Sequence, residues 1–252
     1  MGALHAGHAK LLETARHQNN FVVVSIFVNP LQFERPPDLE GYPRNLDEDV
    51  AVCARAGVDV VFAPYVADLY PGEQLTFVDV PALSEHLCGK FRAGHFRGVA
   101  TVVLKLFNIV QPQRAYFGEK DAQQLAIIRR MVSDLNLPIT IVPVPTVREE
   151  DGVALSSRNR LLTEHERAVA PRLYRMLKRA ASVFDAGERS VAAMKHTVLP
   201  ELEDYRAVRI EYFEVVDPET LAPVEIVTGP VLIAAAVWLG TTRLIDNVMY
   251  CP

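Results

Sequence analysis

The chain has 252 residues, half of them hydrophobic and 23% charged, with 26 basic against 31 acidic side chains and a net charge of −5. That length corresponds to one or two globular domains at roughly 150 residues each. The longest apolar run, residues 231–239, is about half of the roughly 18 residues a membrane helix needs, so neither disorder nor membrane spanning is expected. The mild acidity argues against a long nucleic acid as partner, and three scattered cysteines with no CxxC pair argue against a zinc knuckle or disulfide framework.

In chain order, residues 8–17 predict a helix with Leu11, Leu12 and Ala15 on one face. Residues 21–28 are β-branched and nearly all apolar, which predicts a strand buried on both faces of a parallel sheet. Residues 47–56 predict a helix that Gly57 can end, and 58–62 a second buried strand. An apolar helix follows over 99–110, then a short strand at 115–117, a helix at 122–135 and a strand at 139–144. This alternation predicts an α/β, Rossmann-like doubly wound domain over residues 1–147. The chain begins almost directly on its first helix, so the strand that normally precedes the phosphate-facing helix is expected to be missing from the sheet.

The texture changes at Arg148-Glu-Glu-Asp-Gly152, a polar turn and the expected domain boundary. Helical patterns over 164–185 and 191–205 precede strand-like runs at 209–216, 231–239 and 243–249. Helices followed by consecutive strands predict a smaller α+β domain over residues 148–252.

Several clusters carry chemistry. His5-Ala-Gly-His8 opens a helix with two imidazoles at i, i+3, where helix N–H groups attract phosphate and Gly7 allows close approach. Two surface histidines near a chain end would look the same. Gly118-Glu-Lys-Asp121 lies at a strand end and helix start, where Lys120 can neutralise phosphate and Asp121 can cap the helix or bind ribose; a plain cap with a solvated lysine is the alternative. Ser156-Ser-Arg158 offers two hydroxyls beside a guanidinium, either an oxyanion clamp or a common polar loop. Asn29 and Gln32 follow the first strand and can bond the hydroxyls of a small polar substrate, as can Gln123 and Gln124, or each amide can simply lie on a helix or loop surface. Asp47-Glu-Asp49 satisfies a helix dipole, with Asp49 also a candidate for magnesium. Arg92 and His95 sit in a cationic loop that reads equally as a lid or an interface.

Together, Met1-Gly-Ala-Leu-His-Ala-Gly-His8, the run 27–33, Tyr116-Phe-Gly-Glu-Lys-Asp-Ala-Gln-Gln124, residues 147–159 and the closing Leu239-Gly-Thr-Thr-Arg-Leu-Ile-Asp-Asn247 resemble the pantoate–β-alanine ligase family. That family belongs to the HxGH nucleotidyltransferase group. The resemblance is collinear over essentially the whole chain. It implies a Rossmann-like domain with a smaller C-terminal lid, in a cytoplasmic homodimer. The implied reaction joins D-pantoate to β-alanine using ATP and Mg²⁺ and releases AMP and pyrophosphate, on the way to coenzyme A. It further implies that residues 1–8, with Met1, Gly2 and Gly7, face ATP and that His8 donates a proton; in the mechanism this suggests, His5 and His8 stabilise the charge that develops. Gln32 would contact pantoate and β-alanine, and Gln124 would bind pantoate, while Asn29 suits the same small hydroxy acid by its own chemistry. Gly118, Glu119 and Asp121 would hold ATP, with Lys120 on its phosphates. Val147 would lie on the adenine side, and Leu155, Ser156, Ser157 and Arg158 would close on the triphosphate. The family carries a longer N-terminus, so an inactive nucleotide-binding form is one alternative; an adenylyltransferase for another small acid is a second.

Overall fold

The computed structural model describes residues 2–33, 39–203 and 208–252, apart from the side chains of Glu201 and Glu203. The chain separates into two compact units. One comprises Met1–Glu85, Gly89–Glu119 and Gln123–Val147; the other comprises His86–Cys88, Lys120–Ala122 and Arg148–Pro252.

The first unit is built from βαβ pieces. Helix α1 (Ala6–Gln18) leads into β1 (Val23–Ser25), and α2 (Leu46–Arg55) crosses over to β2 (Val60–Phe62). The two strands pair in parallel, with Val24 opposite Val61. Short helices α3 (Val66–Leu69) and α4 (Pro81–Ser84) precede the long α5 (His95–Val110). Strand β3 (Arg114–Gly118), helix α6 (Ala122–Asp134) and β4 (Thr140–Val144) form the second parallel pair, with Tyr116 opposite Val142. Both crossovers follow from apolar strands alternating with one-sided helices.

The expected sheet differs in its continuity. The pairs β1–β2 and β3–β4 are not hydrogen-bonded to each other, and no strand precedes α1 among the described residues. The strand expected over 21–28 is also shorter: only three residues find partners on the short β2, and Phe21 is exposed. Leu4, Leu12 and Ala15 pack with Val22, Val24 and Cys53 to form a core of this unit, and α5 buries Phe96, Val99, Ala100, Val103 and Phe107 at helical spacing.

In the second unit the pattern over 164–185 is two helices, α7 (Glu164–Val169) and α8 (Pro171–Asp185). Pro171 has no N–H for the ladder, so the chain restarts there with proline in the first turn. The pattern over 191–205 likewise breaks into α9 (Val191–Val198) and α10 (Pro200–Glu203), and its last two positions lie outside the described residues. Strands β5 (Val208–Val216), β6 (Val231–Leu239) and β7 (Thr242–Tyr250) form an antiparallel sheet in the order β5-β6-β7. Being central explains the unbroken apolar run of β6, which is buried almost throughout. Met176, Leu177, Ala180 and Phe184 of α8 pack on Ile233, Ala235, Val237, Leu244 and Tyr250. Each fully buried large side chain there contributes about 1.5–3 kcal/mol. No helix among the described residues is long and apolar enough to cross a membrane.

Candidate active site

In the first unit, the chain ahead of α1 is anchored by Asp49 of α2. Its carboxylate accepts from the N–H of Ala3 at 3.0 Å and of Leu4 at 2.6 Å, and the residue is buried. Both oxygens are thus engaged in holding the approach to the helix. Among the described residues no group of three or more His, Cys, Asp or Glu converges as a metal cage.

His5 caps α1, and the two histidines form a reciprocal capping box. His5 Nδ1 accepts from the N–H of Gly7 at 3.1 Å, and His8 Nδ1 accepts from the N–H of His5 at 3.3 Å. A ring nitrogen that accepts carries no proton, so this network assigns both imidazoles the Nε2–H tautomer. The rings lie 4.1 Å apart, tilted by 40°. The spacing read as a phosphate-facing pair therefore has a local cause, in which each ring completes the other's cap.

Asn29 and Gln32 bound a single 3-10 turn, Pro30–Gln32. Asn29 is buried; its Oδ1 accepts from the Tyr70 hydroxyl at 2.9 Å, and its Nδ2 donates to Gln32 Oε1 and to the Gly98 carbonyl, both at 3.1 Å. With Gln32 Oε1 accepting, the network makes Nε2 the other end of that amide. Burial pushes the Tyr70 hydroxyl up to about 12, so it remains a donor even in mildly alkaline solution. The backbone of the same turn is gripped by the cationic loop. His95 Nδ1 donates to the Gln32 carbonyl at 2.8 Å, Arg92 donates to that carbonyl at 3.3 Å, and Arg92 also donates to His95 Nε2 at 3.0 Å. Arg92 and His95, ambiguous in the sequence, thus hold Gln32. Gly98 makes the packing possible, because a Cβ there would collide with the Leu31 carbonyl.

Other residues predicted in this unit are more loosely defined. A Cβ at Gly118 would meet nothing within 4 Å, so the space above the end of β3 is open. Glu119, Gln124 and Val147 are half-buried, as is Gly7, whereas Gly2 is buried. Gln123 is buried and donates to the Leu83 carbonyl at 2.9 Å, which gives it a structural task on α4. Met1 lies outside the described residues.

The second unit holds a cleft with roughly 370 Å³ of empty space, lined by Lys120, Ser156, Arg158, Asn159, Arg243 and Asp246 among others. Lys120 belongs to this unit by its contacts, and its Nζ lies 3.9 Å from Asp121. Ser156 caps the 3-10 helix Ser157–Leu161 by accepting from the Arg158 N–H at 3.3 Å. Leu155 and Ser157 flank it and are half-buried, and Arg158 is exposed. Asn159 donates to Glu149 Oε1 at 3.0 Å and to the Ala154 carbonyl at 3.1 Å.

The support behind this cleft is not foreseen by the sequence. Arg148 forms a two-pronged ion pair with buried Asp246, at 2.6 and 2.9 Å, and its guanidinium carbon lies 3.7 Å from the centre of the Tyr174 ring. Gly152 closes the hairpin beneath it at φ +95, with Tyr174 against the position a Cβ would occupy. The signals for these partners are Arg148 and Gly152 in the boundary turn and Asp246-Asn247 in the closing motif, and neither pattern shows that they meet.

The chain is similar to several known proteins. The family model described as "Pantoate-beta-alanine ligase" matches residues 1–249. A pantothenate synthetase of Moorella thermoacetica is 53% identical over 99% of this chain and 88% of its own. The crystal structure of pantothenate synthetase from Thermus thermophilus superposes with a TM-score of 0.95 at 49% identity, covering 100% of this chain and 91% of that one. A pantoate-beta-alanine ligase from Francisella tularensis, complexed with beta-gamma ATP and beta-alanine, superposes with a TM-score of 0.80 at 34% identity over 99% of this chain and 87% of that one. With the family model spanning nearly every residue and relatives at about half identity, the chain belongs to the pantoate–β-alanine ligase family.

Proposed function

We propose that this chain condenses D-pantoate with β-alanine through a pantoyl adenylate, consuming ATP and releasing AMP and pyrophosphate. The observation that carries the reading is the start of α1, where two imidazoles cap a helix N-terminus with Nε2 as the proton-bearing atom. Such a site suits negative charge accumulating on a phosphoryl group. Pantoate's carboxylate is ionised at neutral pH, so the first step needs no base. One carboxylate oxygen bonds to the α-phosphorus, the bond from that phosphorus to the bridging oxygen breaks, and pyrophosphate leaves. His5, His8, Lys120 and Arg158 stabilise the developing charge. Gly2, Gly7, Gly118, Glu119, Asp121, Val147, Leu155, Ser156 and Ser157 bind the nucleotide, and Asn29, Gln32 and Gln124 hold pantoate. In the second step the unprotonated amine of β-alanine attacks the acyl carbon. The bond to AMP breaks, and the nitrogen gives its surplus proton to water.

The Francisella relative, complexed with a nucleotide and β-alanine, supports both ligand classes. Magnesium is part of the same proposal. An ion carried in on phosphate oxygens would keep most of its water, and the exposed Asp121 carboxylate beside Lys120 would help to hold it. When bound, the ion would neutralise triphosphate charge. Two copies associating as a dimer would cover apolar side chains such as Tyr65 and Leu75, which are 80% and 82% exposed. Free Cys53 and Cys88, both buried, are compatible with the proposed reducing cytoplasm.

The test is pyrophosphate release by the purified chain with ATP, Mg²⁺ and D-pantoate, then with β-alanine added. Sustained release only with both substrates supports the reading, and its absence overturns it. Lys120→Ala should lower adenylate formation far more than stability; unchanged turnover would remove Lys120 from its role. Gln124→Ala should raise the KM for pantoate more than that for ATP, and the reverse would displace it from the pantoate site. Light scattering decides the dimer.

A further inference from the structure

We infer that Asp246 and Asn247, consecutive residues of β7, are positioning residues that hold Lys120 and the Arg158 turn in register with one another. The inference deepens the function proposed above and rests on it. Neighbouring side chains of a strand project to opposite faces. Asp246 shares its face with Leu244, which packs in the core with α8, and from there it reaches Arg148. Arg148 passes the constraint on in three ways. It stacks on Tyr174, donates to the Gly152 carbonyl at 3.1 Å, and pairs across the hairpin with Ala154. Asn159 then ties the Ala154 carbonyl and Glu149 to the 3-10 helix that carries Arg158. The path from strand to phosphate-directed guanidinium is thus a chain of partly buried hydrogen bonds, several of them charge-assisted, with one stacking contact. Its first member is a bidentate pair with the Asp246 side chain only 2% exposed, an arrangement with little freedom to drift.

The other face of β7 carries Asn247. Its Nδ2 donates to the Lys120 carbonyl at 2.9 Å, across 127 positions of sequence. Arg243, on the same side of the strand, reaches Cys88 and Glu211. One strand therefore holds the two segments whose cations line the same cleft, Lys120 and Arg158. Two cations acting on one triphosphate must keep a fixed separation, and a displacement of about 1 Å can cost about 100-fold in rate. A paired strand provides a stiffer reference for that separation than either loop.

The test is a double-mutant cycle in the full chain: wild type, Asn247→Ala, Lys120→Ala and the double variant, with Asn247→Ser, which keeps a short donor, replacing the alanine variant should that not fold. Asn247→Ala should lower kcat for pyrophosphate release about tenfold and leave the KM values for pantoate and β-alanine within about twofold. In the Lys120→Ala background the same change should cost less than about threefold. Equal factors in both backgrounds, or a wild-type kcat in Asn247→Ala, would overturn the positioning role. Asp246→Asn with Arg158→Ala is read in the same way. Calorimetric ATP affinity of the same proteins reads the coupling without turnover. A wild-type chain that binds ATP but releases no pyrophosphate would sink the reaction assignment while the cycle still decided the positioning one.

Discussion

The Tyr70 hydroxyl donates to Asn29 Oδ1 at 2.9 Å, and through Asn29 it orients the Gln32 amide. Tyr70→Phe removes that donor and leaves the buried amide oxygen to the long hydrogen bond from the Leu31 N–H, at 3.3 Å. The expected result is a KM for pantoate raised about threefold to tenfold, with the KM for ATP unchanged. Steady-state kinetics with each substrate varied in turn checks it. An unchanged pantoate KM would mean that Tyr70 does not act through Gln32.

His8→Ala removes both a helix cap and an Nε2–H donor. The cap is worth about 0.5–2 kcal/mol of stability, whereas one donor to developing phosphoryl charge is worth about 100-fold to 1,000-fold in rate. Pyrophosphate release should therefore fall by that larger factor while the melting temperature drops by only a few degrees. Equal rates in the two proteins would reduce the histidine to a capping residue.

Gly98 lets the start of α5 lie against the Pro30–Gln32 turn. In Gly98→Ala the new methyl meets the Leu31 carbonyl, and backbone cannot step aside as a flexible side chain would. A destabilisation of about 1–3 kcal/mol is expected, together with weaker pantoate binding as the turn shifts. Denaturant unfolding and pantoate kinetics measure the two effects, and a neutral substitution would contradict the close packing.

Glu211 lies in a buried cluster with Arg243 and Trp238, whose Nε1 donates to it at 2.8 Å. Burial pushes its carboxyl up, but the hydrogen bonds from Arg243 and Trp238 outweigh that and leave it below its ordinary value of 4.5. A lowered folded value means that folding favours the charged form. The stabilisation is complete above about pH 4.5 and is lost as the pH falls through the lowered value. Glu211→Gln should cost about 1.5–3 kcal/mol at neutral pH and flatten the acid limb of the stability curve. Denaturant midpoints across the acidic to neutral range test this; parallel curves for the two proteins would contradict it.

What the sequence by itself determined is what depends on neighbours along the chain. Strand and helix periodicity identified the α/β region and the run of β6, because burial on one or both faces acts on adjacent residues. The His5 and His8 spacing pointed to a helix start for the same reason, since a cap closes within one turn. The single helix expected over 164–185 instead breaks at Pro171, because apolar periodicity continues through a residue whose missing N–H cannot continue the ladder. Tertiary structure alone decided the rest. The meeting of Tyr70 with Asn29, of Arg148 with Asp246, and of Asn247 with the Lys120 carbonyl joins residues 41, 98 and 127 positions apart. The engagement of Asp49 by the segment ahead of α1 is of the same kind. Polar side chains have many possible partners, and their choice follows from which backbones the packed cores bring within about 3 Å, information that no local pattern contains.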